Sequence, residues 1–591
     1  MNELNTYQRE AVEVTDGPLL IVAGPGTGKT KTLTARIAHL IASGAARPGE
    51  ILALTFTNKA AAEMRQRVTA LVQGDTPVVT TFHALCYQLL KDHTGEEPQF
   101  VSEVERTMLI KQLRKSAELK SLTTQELALE ISRLKNQASN TGDKSLSGLR
   151  RAYDDVLAER GLCDFDDLLL KTRELLKTQK PDLPYTHILV DEFQDTNFLQ
   201  YELLQLLRQN DNVCVIGDPL QSIYGFRGAD STMFDRFRAD FPAARTVHLS
   251  INYRSVPEVV RLTNAVFPES PELMAHAKTS GEVRTVEVLN EYSEAAWIIG
   301  VIEQSVGGSS FLKSHGLGYD HHTAAHTFRD FAVVYRTHRV GKTVQKLLAE
   351  SGIPFQVVGE GSFYERPAIW ATIQIMRYLT EPSDEHEALL GTLAPLKHTT
   401  LTQRRQLLAM LDATQKVSGL AGHVMETFGF DTTDRAQFLG GLVRFDDRGL
   451  TSYLEYIDEL LATNFYDPAA DAVTLTTIHA AKGLEFSRVF LLAAEEGMLP
   501  HERPHKSGPG GGACDVEEER RLFYVAVSRA KQQLDILHAR TRTGKSAELS
   551  RFVDEIDDSI IPRIQDEAMA GQKRRIAKRA AKRSQGLLFE L

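Results

Sequence analysis

Cysteine is scarce in this chain: 591 residues carry four, Cys86, Cys163, Cys214 and Cys514. They lie far apart and no pair forms CxxC, so the usual zinc and iron–sulfur ligand spacings are absent. Scarce, scattered cysteine suits a reducing compartment. Long apolar runs are lacking as well. None approaches the ~18–20 residues of a membrane span, and the opening MNELNTYQRE holds no apolar signal core. The expectation is a soluble cytoplasmic protein with no membrane partner. A basic excess is also missing: 68 Lys+Arg face 78 Asp+Glu, a net charge of −10. That excludes a uniformly basic coat of the histone kind. It leaves nucleic-acid binding open, because a local basic groove is enough.

What is present is ordinary globular material, 42% hydrophobic and 25% charged, which excludes a wholly disordered or fibrous chain. The length suggests about four domains at ~150 residues each. Short apolar runs at Leu19–Ala23, Ile51–Phe56, His187–Val190, Val213–Ile216 and Val247–Ser250 read as buried parallel strands. Each is followed by a turn residue and a helix-like stretch, the alternation of a doubly wound α/β sheet. The pattern returns at Phe331–Tyr335, Val473–Ile478, Val489–Ala493 and Leu534–Leu537. Two α/β cores are expected, interrupted by helix-rich intervals at about 86–164 and 381–464.

The strongest local signal is LLIVAGPGTGKT, Leu19–Thr30. A strand runs into a Gly-rich turn and then a helix, the context of a phosphate-binding P-loop. Its positions are Ala23, Gly24, Pro25, Gly26, Thr27, Gly28, Lys29 and Thr30, followed by Lys31. Ala23 stands where the pattern usually has Gly. Backbone N–H groups and the helix N-terminus would hold phosphate. Lys29 would reach the β- and γ-phosphates of ATP, and Thr30 would bind Mg²⁺. The segment HILVDEFQDT at 187–196 supplies the partner such a loop needs. Asp191 would hold Mg²⁺ through water, and Glu192 would orient and deprotonate the attacking water.

Other segments invite less. ARTRTGKS at 539–546 fits a relaxed P-loop spacing but lacks the loop glycines and reads as an incidental match. Residues 307–328 are Gly/Ser/His-rich; His315, His321, His322 and His326 lack a completing ligand set, so a solvated loop is expected. Residues 507–513 read as a second flexible loop. The run KRRIAKRAAKR at 573–583 is strongly basic.

Taken in order, the motifs resemble superfamily 1 helicases of the UvrD/Rep/PcrA type over roughly residues 1–555. They are Leu4-Asn5 with Gln8, the P-loop, LTFTNKAAAEMRQR at 54–67, TFHAL at 81–85, VDEFQDT, GDPLQSIYGFRGAD at 217–230, LSINYRS at 249–255, VVYRTHR at 333–339, TTIHAAKGLEF from 476, and EEERRLFYVAVSRAK at 517–531. The resemblance implies two RecA-like P-loop cores, each with a helical insertion. The implied layout is 1–85 with 165–250 as the first core, 86–164 its insertion, 251–380 with 465–555 the second core, 381–464 a shortened insertion, and 556–591 a basic tail.

The resemblance also implies roles. Gln8 reads the adenine edge, Arg36 and Tyr253 sandwich the ring, and Glu485 contacts the ribose. Gln221 senses the γ-phosphate, and Arg254 and Arg529 clamp it from the second core as arginine fingers. Phe56, His83, Tyr224, Phe226, Arg227 and His479 match positions that touch single-stranded DNA, where bases stack on aromatic rings. Phe226 stands where close relatives usually carry Trp. The implied activity is ATP-driven 3′–5′ translocation on single-stranded DNA, with unwinding at single-strand/duplex junctions, in repair or replication restart. Gln585–Phe589 fits the QxxLF pattern of sliding-clamp peptides. Two alternatives stay open, a DNA-dependent ATPase that strips proteins without processive unwinding and the motor subunit of a helicase–nuclease complex; the ordered motif set through Arg529 argues against an unrelated P-loop NTPase.

Overall fold

Strand Leu19–Ala23 sends Leu19 and Ile21 into one apolar cluster and Leu20 into another. A strand buried on both faces belongs to a parallel sheet covered by helices on both sides. The computed structural model of the chain has that architecture. It describes residues 4–95, 97–101, 103–116, 122–136, 144–225, 232–307, 326–359, 364, 366–380, 382, 387, 390, 393, 396, 399–412, 415–430, 435–462, 466–501 and 515–566.

The first sheet has six parallel strands in the order Val78–Thr81, Ile51–Thr55, His187–Val190, Val213–Gly217, Leu19–Ala23 and Arg245–Leu249. The second runs Phe355–Val358, Val473–Thr477, Phe331–Tyr335, Phe486–Leu491, Ala530–Arg542, Glu282–Asn290 and Arg563–Gln565, these seven parallel, with the two-residue strand Lys545–Ser546 added antiparallel to the end of Ala530–Arg542. Here too alternate residues divide between faces: Phe331, Val333 and Tyr335 enter one cluster, Ala332 and Val334 the other. Parallel strands end on one edge, so the loops after Ala23, Val190 and Gly217 meet there, the usual ligand edge of an open α/β sheet.

Two helical clusters stand apart from the sheets. Helices Glu103–Ser116, Thr124–Asn136 and Lys144–Glu159 share one core around Ile110, Leu127 and Tyr153. Helices Pro367–Thr380, Leu401–Leu408, Val417–Thr427 and Gly449–Ala462 share another. Two boundaries differ from those expected. Helix Phe82–Thr94 continues past residue 86 and packs Leu85, Leu89 and Leu90 on the first sheet. Helix Pro367–Thr380 buries Ile369, Ile373 and Met376 in the second helical cluster rather than against the second sheet. Helical periodicity marks an apolar face without saying which core receives it.

The TGKS segment is a hairpin. Arg542 pairs with Lys545 across Thr543 and Gly544, both at positive φ, in an antiparallel return, so its glycine serves a two-residue turn. Arg542 turns inward, where its guanidinium bonds Glu294 at 2.8 Å and Glu495 at 2.7 Å, both almost fully buried. Among the described residues, no helix is long and apolar enough to cross a membrane and no group of three His, Cys, Asp or Glu is arranged to hold a metal.

Replacing Arg542 with Met leaves both carboxylates buried without their cation. A loss of about 3–5 kcal/mol is expected, read as a lower melting temperature. Burial raises the Glu294 pKa. A carboxyl raised in the folded state favours folding at low pH and loses that contribution as pH rises through its folded pKa. The deficit should therefore shrink on acidification, as the raised carboxyl takes up a proton.

Candidate active site and strand groove

The P-loop is held from three sides. Thr27 Oγ1 donates to Gly24 O at 2.8 Å within the loop. Asn252 Nδ2 donates to Pro25 O at 2.8 Å, and the Tyr253 N–H donates to Gly26 O at 2.8 Å. Gly26 has φ +68, and a Cβ there would lie 2.6 Å from Arg254 Cβ. Only glycine fits so close to the second core in that conformation. Helix Lys29–Ala42 starts at Gly28 with no side-chain cap, so its first-turn N–H groups are not taken by a capping side chain. Lys29 Nζ lies 3.4 Å from Ala23 O, and Thr30 stands in the same first turn.

Gln8 is buried against this loop. It closes a capping box with Asn5, and its Nε2 donates to Thr27 O at 2.9 Å. Tyr253 is exposed, its ring 4.7 Å from that of His276, and its hydroxyl accepts from Asn5 Nδ2 at 2.8 Å. Arg36 is not placed to stack with Tyr253, which corrects the expectation. It is 2% exposed, and its guanidinium donates to the carbonyls of Ala11 and Val14 at the end of helix Thr6–Glu13. Lys31, one residue past Thr30, is exposed, with its Cβ 3.9 Å from where a Gly28 Cβ would be.

Strand His187–Val190 delivers Asp191 and Glu192 at its end. Asp191 N–H donates to Leu54 O at 2.9 Å, and its Oδ1 accepts from the Glu192 N–H at 2.9 Å. Glu192 has φ +49, a strained setting for a non-glycine residue. Burial, with Glu192 alongside, pushes the Asp191 carboxyl up to about 7. Burial opposes ionisation of Glu192 too, but Lys29 and Lys482 hold its carboxyl below the ordinary value. Gln194 Nε2 donates to Glu192, and Gln194 Oε1 accepts from Asp218 N–H at 2.9 Å. Gln221 Nε2 then donates to Asp218 Oδ2 at 2.8 Å. One polar chain therefore runs from Glu192 to Gln221.

The second core closes the other wall. Arg254 Nε bonds Glu485 at 2.6 Å, and its Nη1 donates to Ser528 O at 3.2 Å. Glu485 also pairs with Lys531 at 2.8 Å. Arg529 is 1% exposed. It donates to Val525 O at 2.9 Å, Leu484 O at 3.1 Å, Ser528 Oγ at 2.8 Å and Gln221 Oε1 at 3.4 Å. Every one of these acceptors is neutral. Burial, with Arg254 adding to it, drives the Arg529 pKa down to about 9.

Beside this cleft lies a groove of about 550 Å³ between the first core and its helical insertion. Phe56 and Tyr224 face each other in it, with ring centroids 5.9 Å apart and planes 11° apart. His83 lines the same groove, and burial lowers its pKa, favouring the neutral ring. Tyr224 Oη donates to His479 O at 3.4 Å. Phe226 and Arg227 lie outside the described residues, as does Gln585–Phe589. Sequence reasoning missed Phe165. It is 66% exposed, sits edge-on to His83 at 6.2 Å, and stacks on Phe100 at 5.1 Å. The signal available for it was an aromatic directly after the helix cap Asp164, in CDFDD.

The two RecA-like sheets, the P-loop and the arginine-lined cleft define a P-loop NTPase of the two-core motor type. Family models described as the UvrD/REP helicase N-terminal domain and the UvrD-like helicase C-terminal domain match residues 4–242, and 247–416 with 454–541. The ATP-dependent DNA helicase PcrA of Staphylococcus epidermidis is 30% identical, over 97% of this chain and 88% of that protein. PcrA of Bacillus subtilis is also 30% identical, over 96% and 87%. PcrA of Staphylococcus aureus is 30% identical over 95% and 87%. The chain belongs to the UvrD/Rep helicase family.

Gly26→Ala would strain the left-handed turn by about 1–2 kcal/mol and push Arg254 and Asn252 from the loop. Steady-state ATPase assays should show kcat/KM for ATP falling by about tenfold or more, with the melting temperature little changed.

Proposed function

We propose that the chain is an ATP-dependent DNA helicase that translocates 3′ to 5′ on single-stranded DNA and opens duplexes at junctions, in repair or replication restart. The observation that carries this reading is Arg529, a buried guanidinium bonded only to neutral oxygens at the lip of a P-loop cleft. A buried cation of that kind calls for an anion, and the γ-phosphate of ATP supplies it.

ATP lies along the P-loop, with Lys29 and the N–H groups of residues 26–30 on its phosphates. Gln8, Lys31 and Tyr253 surround the adenine, Lys31 taking the place first given to Arg36. Once Arg254 turns to the phosphate, Glu485 Oε2 is released toward the ribose while its Oε1 stays paired with Lys531. Thr30 and Asp191 offer the hard oxygen donors that Mg²⁺ prefers, and a dication beside the crowded Asp191–Glu192 pair offsets their repulsion. Mg²⁺ would neutralise charge on the phosphate oxygens. Glu192, held ionised, takes the proton of the attacking water, and Gln221, bonded to both Asp218 and Arg529, reports the γ-phosphate between the cores. Arg254 and Arg529 stabilise the charge that develops as the bond to the γ-phosphorus breaks.

The strand lies in the groove, its bases on Phe56 and Tyr224 beside His83 and His479, with Phe165 exposed next to His83 as a further ring; strand contacts by Phe226 and Arg227 rest on the motif resemblance alone. Stacking holds any sequence, as a translocating motor requires. The reading includes a cytoplasmic location and docking of Gln585–Phe589 on a sliding clamp. Loss of clamp capture on deleting 585–591 is the expected pull-down result, and retention removes that part.

Single-stranded DNA should stimulate the ATPase, Lys29→Ala should abolish it, and a 3′-tailed duplex should be unwound in preference to a 5′-tailed one. Phe56→Ala should raise the half-saturating strand concentration about tenfold, from the ~1–3 kcal/mol of one stacking contact. Absence of DNA stimulation refutes the motor. Stimulation without unwinding favours a protein-stripping translocase.

A further inference from the structure

Residues 479–485 form one short segment after strand Val473–Thr477 that reaches both sites. His479 O accepts from the Tyr224 hydroxyl in the groove. Leu484 O accepts from Arg529, and Glu485 holds Arg254. Between them, Lys482 crosses to the first core. Its Nζ lies 2.6 and 2.7 Å from the two carboxylate oxygens of Asp195 and 2.8 Å from Gln221 O, with the Tyr224 ring centroid at 4.9 Å. Both partners are buried, Lys482 at 8% and Asp195 at 3% side-chain exposure. Asp195 lines the groove, three residues past Glu192 on the same turn.

A buried ion pair with a bidentate partner and a third acceptor is geometrically selective, because moving either end leaves an uncompensated charge. Tyr224 is therefore tied twice to one segment, through its hydroxyl and through its ring. That segment in turn carries the acceptor of Arg529. We propose that Lys482 is a positioning residue that couples strand binding at Tyr224 to ATP hydrolysis, by fixing segment 479–485 to Asp195 on the first core. The proposal rests on the motor reading above. A base stacked on Tyr224 displaces the ring and the cation over it; the Lys482–Asp195 pair transmits that shift to the Glu192 turn and to Arg529.

The test is steady-state ATPase of the full chain with and without oligo-dT, for Lys482→Met, Lys482→Arg, Asp195→Asn and the double Lys482→Met/Asp195→Asn. The double variant buries no unpaired charge of the pair, so it is the folded form on which loss of coupling is read. Loss of the Lys482 charge beside Glu192 lowers the basal rate as well; coupling is read as the further fall, about tenfold, of the stimulated-to-basal ratio in Lys482→Met, with KM for ATP and half-saturating oligo-dT within about threefold of the parent. The double variant should lose no more than the single, and Lys482→Arg should restore most of the ratio. Equal loss of basal and stimulated rates makes Lys482 a general structural or catalytic group and overturns the proposal. So do additive losses in the double variant, or a rise in half-saturating DNA that accounts for the whole effect. A parent chain without DNA stimulation overturns the motor reading itself; a stimulated parent with fully stimulated variants overturns only the coupling.

Discussion

A guanidinium taken out of water and given only neutral acceptors is an expensive arrangement. Arg529 is in that position, and much of the cleft follows from it. Four hydrogen bonds from its Nε, Nη1 and Nη2 reach Val525, Leu484, Ser528 and Gln221, which engages most of its donors without placing an anion against its charge. The lowered pKa records the same imbalance. A carboxylate at this place would neutralise the cation and remove its attraction for phosphate. Arg254, by contrast, is held by Glu485, so the two arginines differ: one has a carboxylate bonded to it, the other has only neutral oxygens.

That imbalance is sustained by the parallel sheets. Strands running the same way place every turn of chemical use on one edge, and two such edges face each other across the cleft. Leu54, Asp191 and Asp218 all lie at or just past strand ends, with apolar residues behind them on both faces of the sheet. The carboxylates are thus buried by the very packing that positions them. Their mutual repulsion is balanced by Lys29 from one core and Lys482 from the other. Electrostatic balance at Glu192 therefore depends on both cores being in contact.

Much of this was legible in the residues. The central strands announce themselves as short continuous apolar runs, because they are covered on both faces. Strands Val78–Thr81, Phe355–Val358 and Arg563–Gln565 were not legible, since each is short and lies at a sheet edge. Glu282–Asn290 alternates polar with apolar residues and carries no continuous run. The P-loop, Asp191, Glu192 and both arginines could be read from motif order. Arg36 was misread for a geometric reason. It stands 36 − 29 = 7 residues beyond Lys29, about two helical turns, and so shares the inward face of Lys29, whereas Lys31 is turned well round the helix to the outside. Spacing within a motif does not say which way a helix is rotated. Phe165 escaped because a lone exposed aromatic after a cap has no periodicity to mark it.

The acidic balance of the whole chain acquires a different meaning inside this frame. Lys29, Arg254, Lys482 and Arg529 face inward at the cleft, where low dielectric strengthens each charge and salt screens little. The groove beside them is lined by rings and amides, Phe56, Tyr224, Asn136, Asn197 and Gln200 among them, and by three charged residues, Arg106, Asp166 and Asp195. A strand held there gains from stacking and pays in part against those carboxylates, so its grip is not built from phosphate neutralisation alone. A grip of that kind can be released and remade by moving one ring. A coat of lysines would bind the backbone at many points and resist each step. Net charge far from basic is thus compatible with a helicase whose groove presents the aromatic faces of Phe56 and Tyr224, tied to the P-loop cleft through His479 and Lys482.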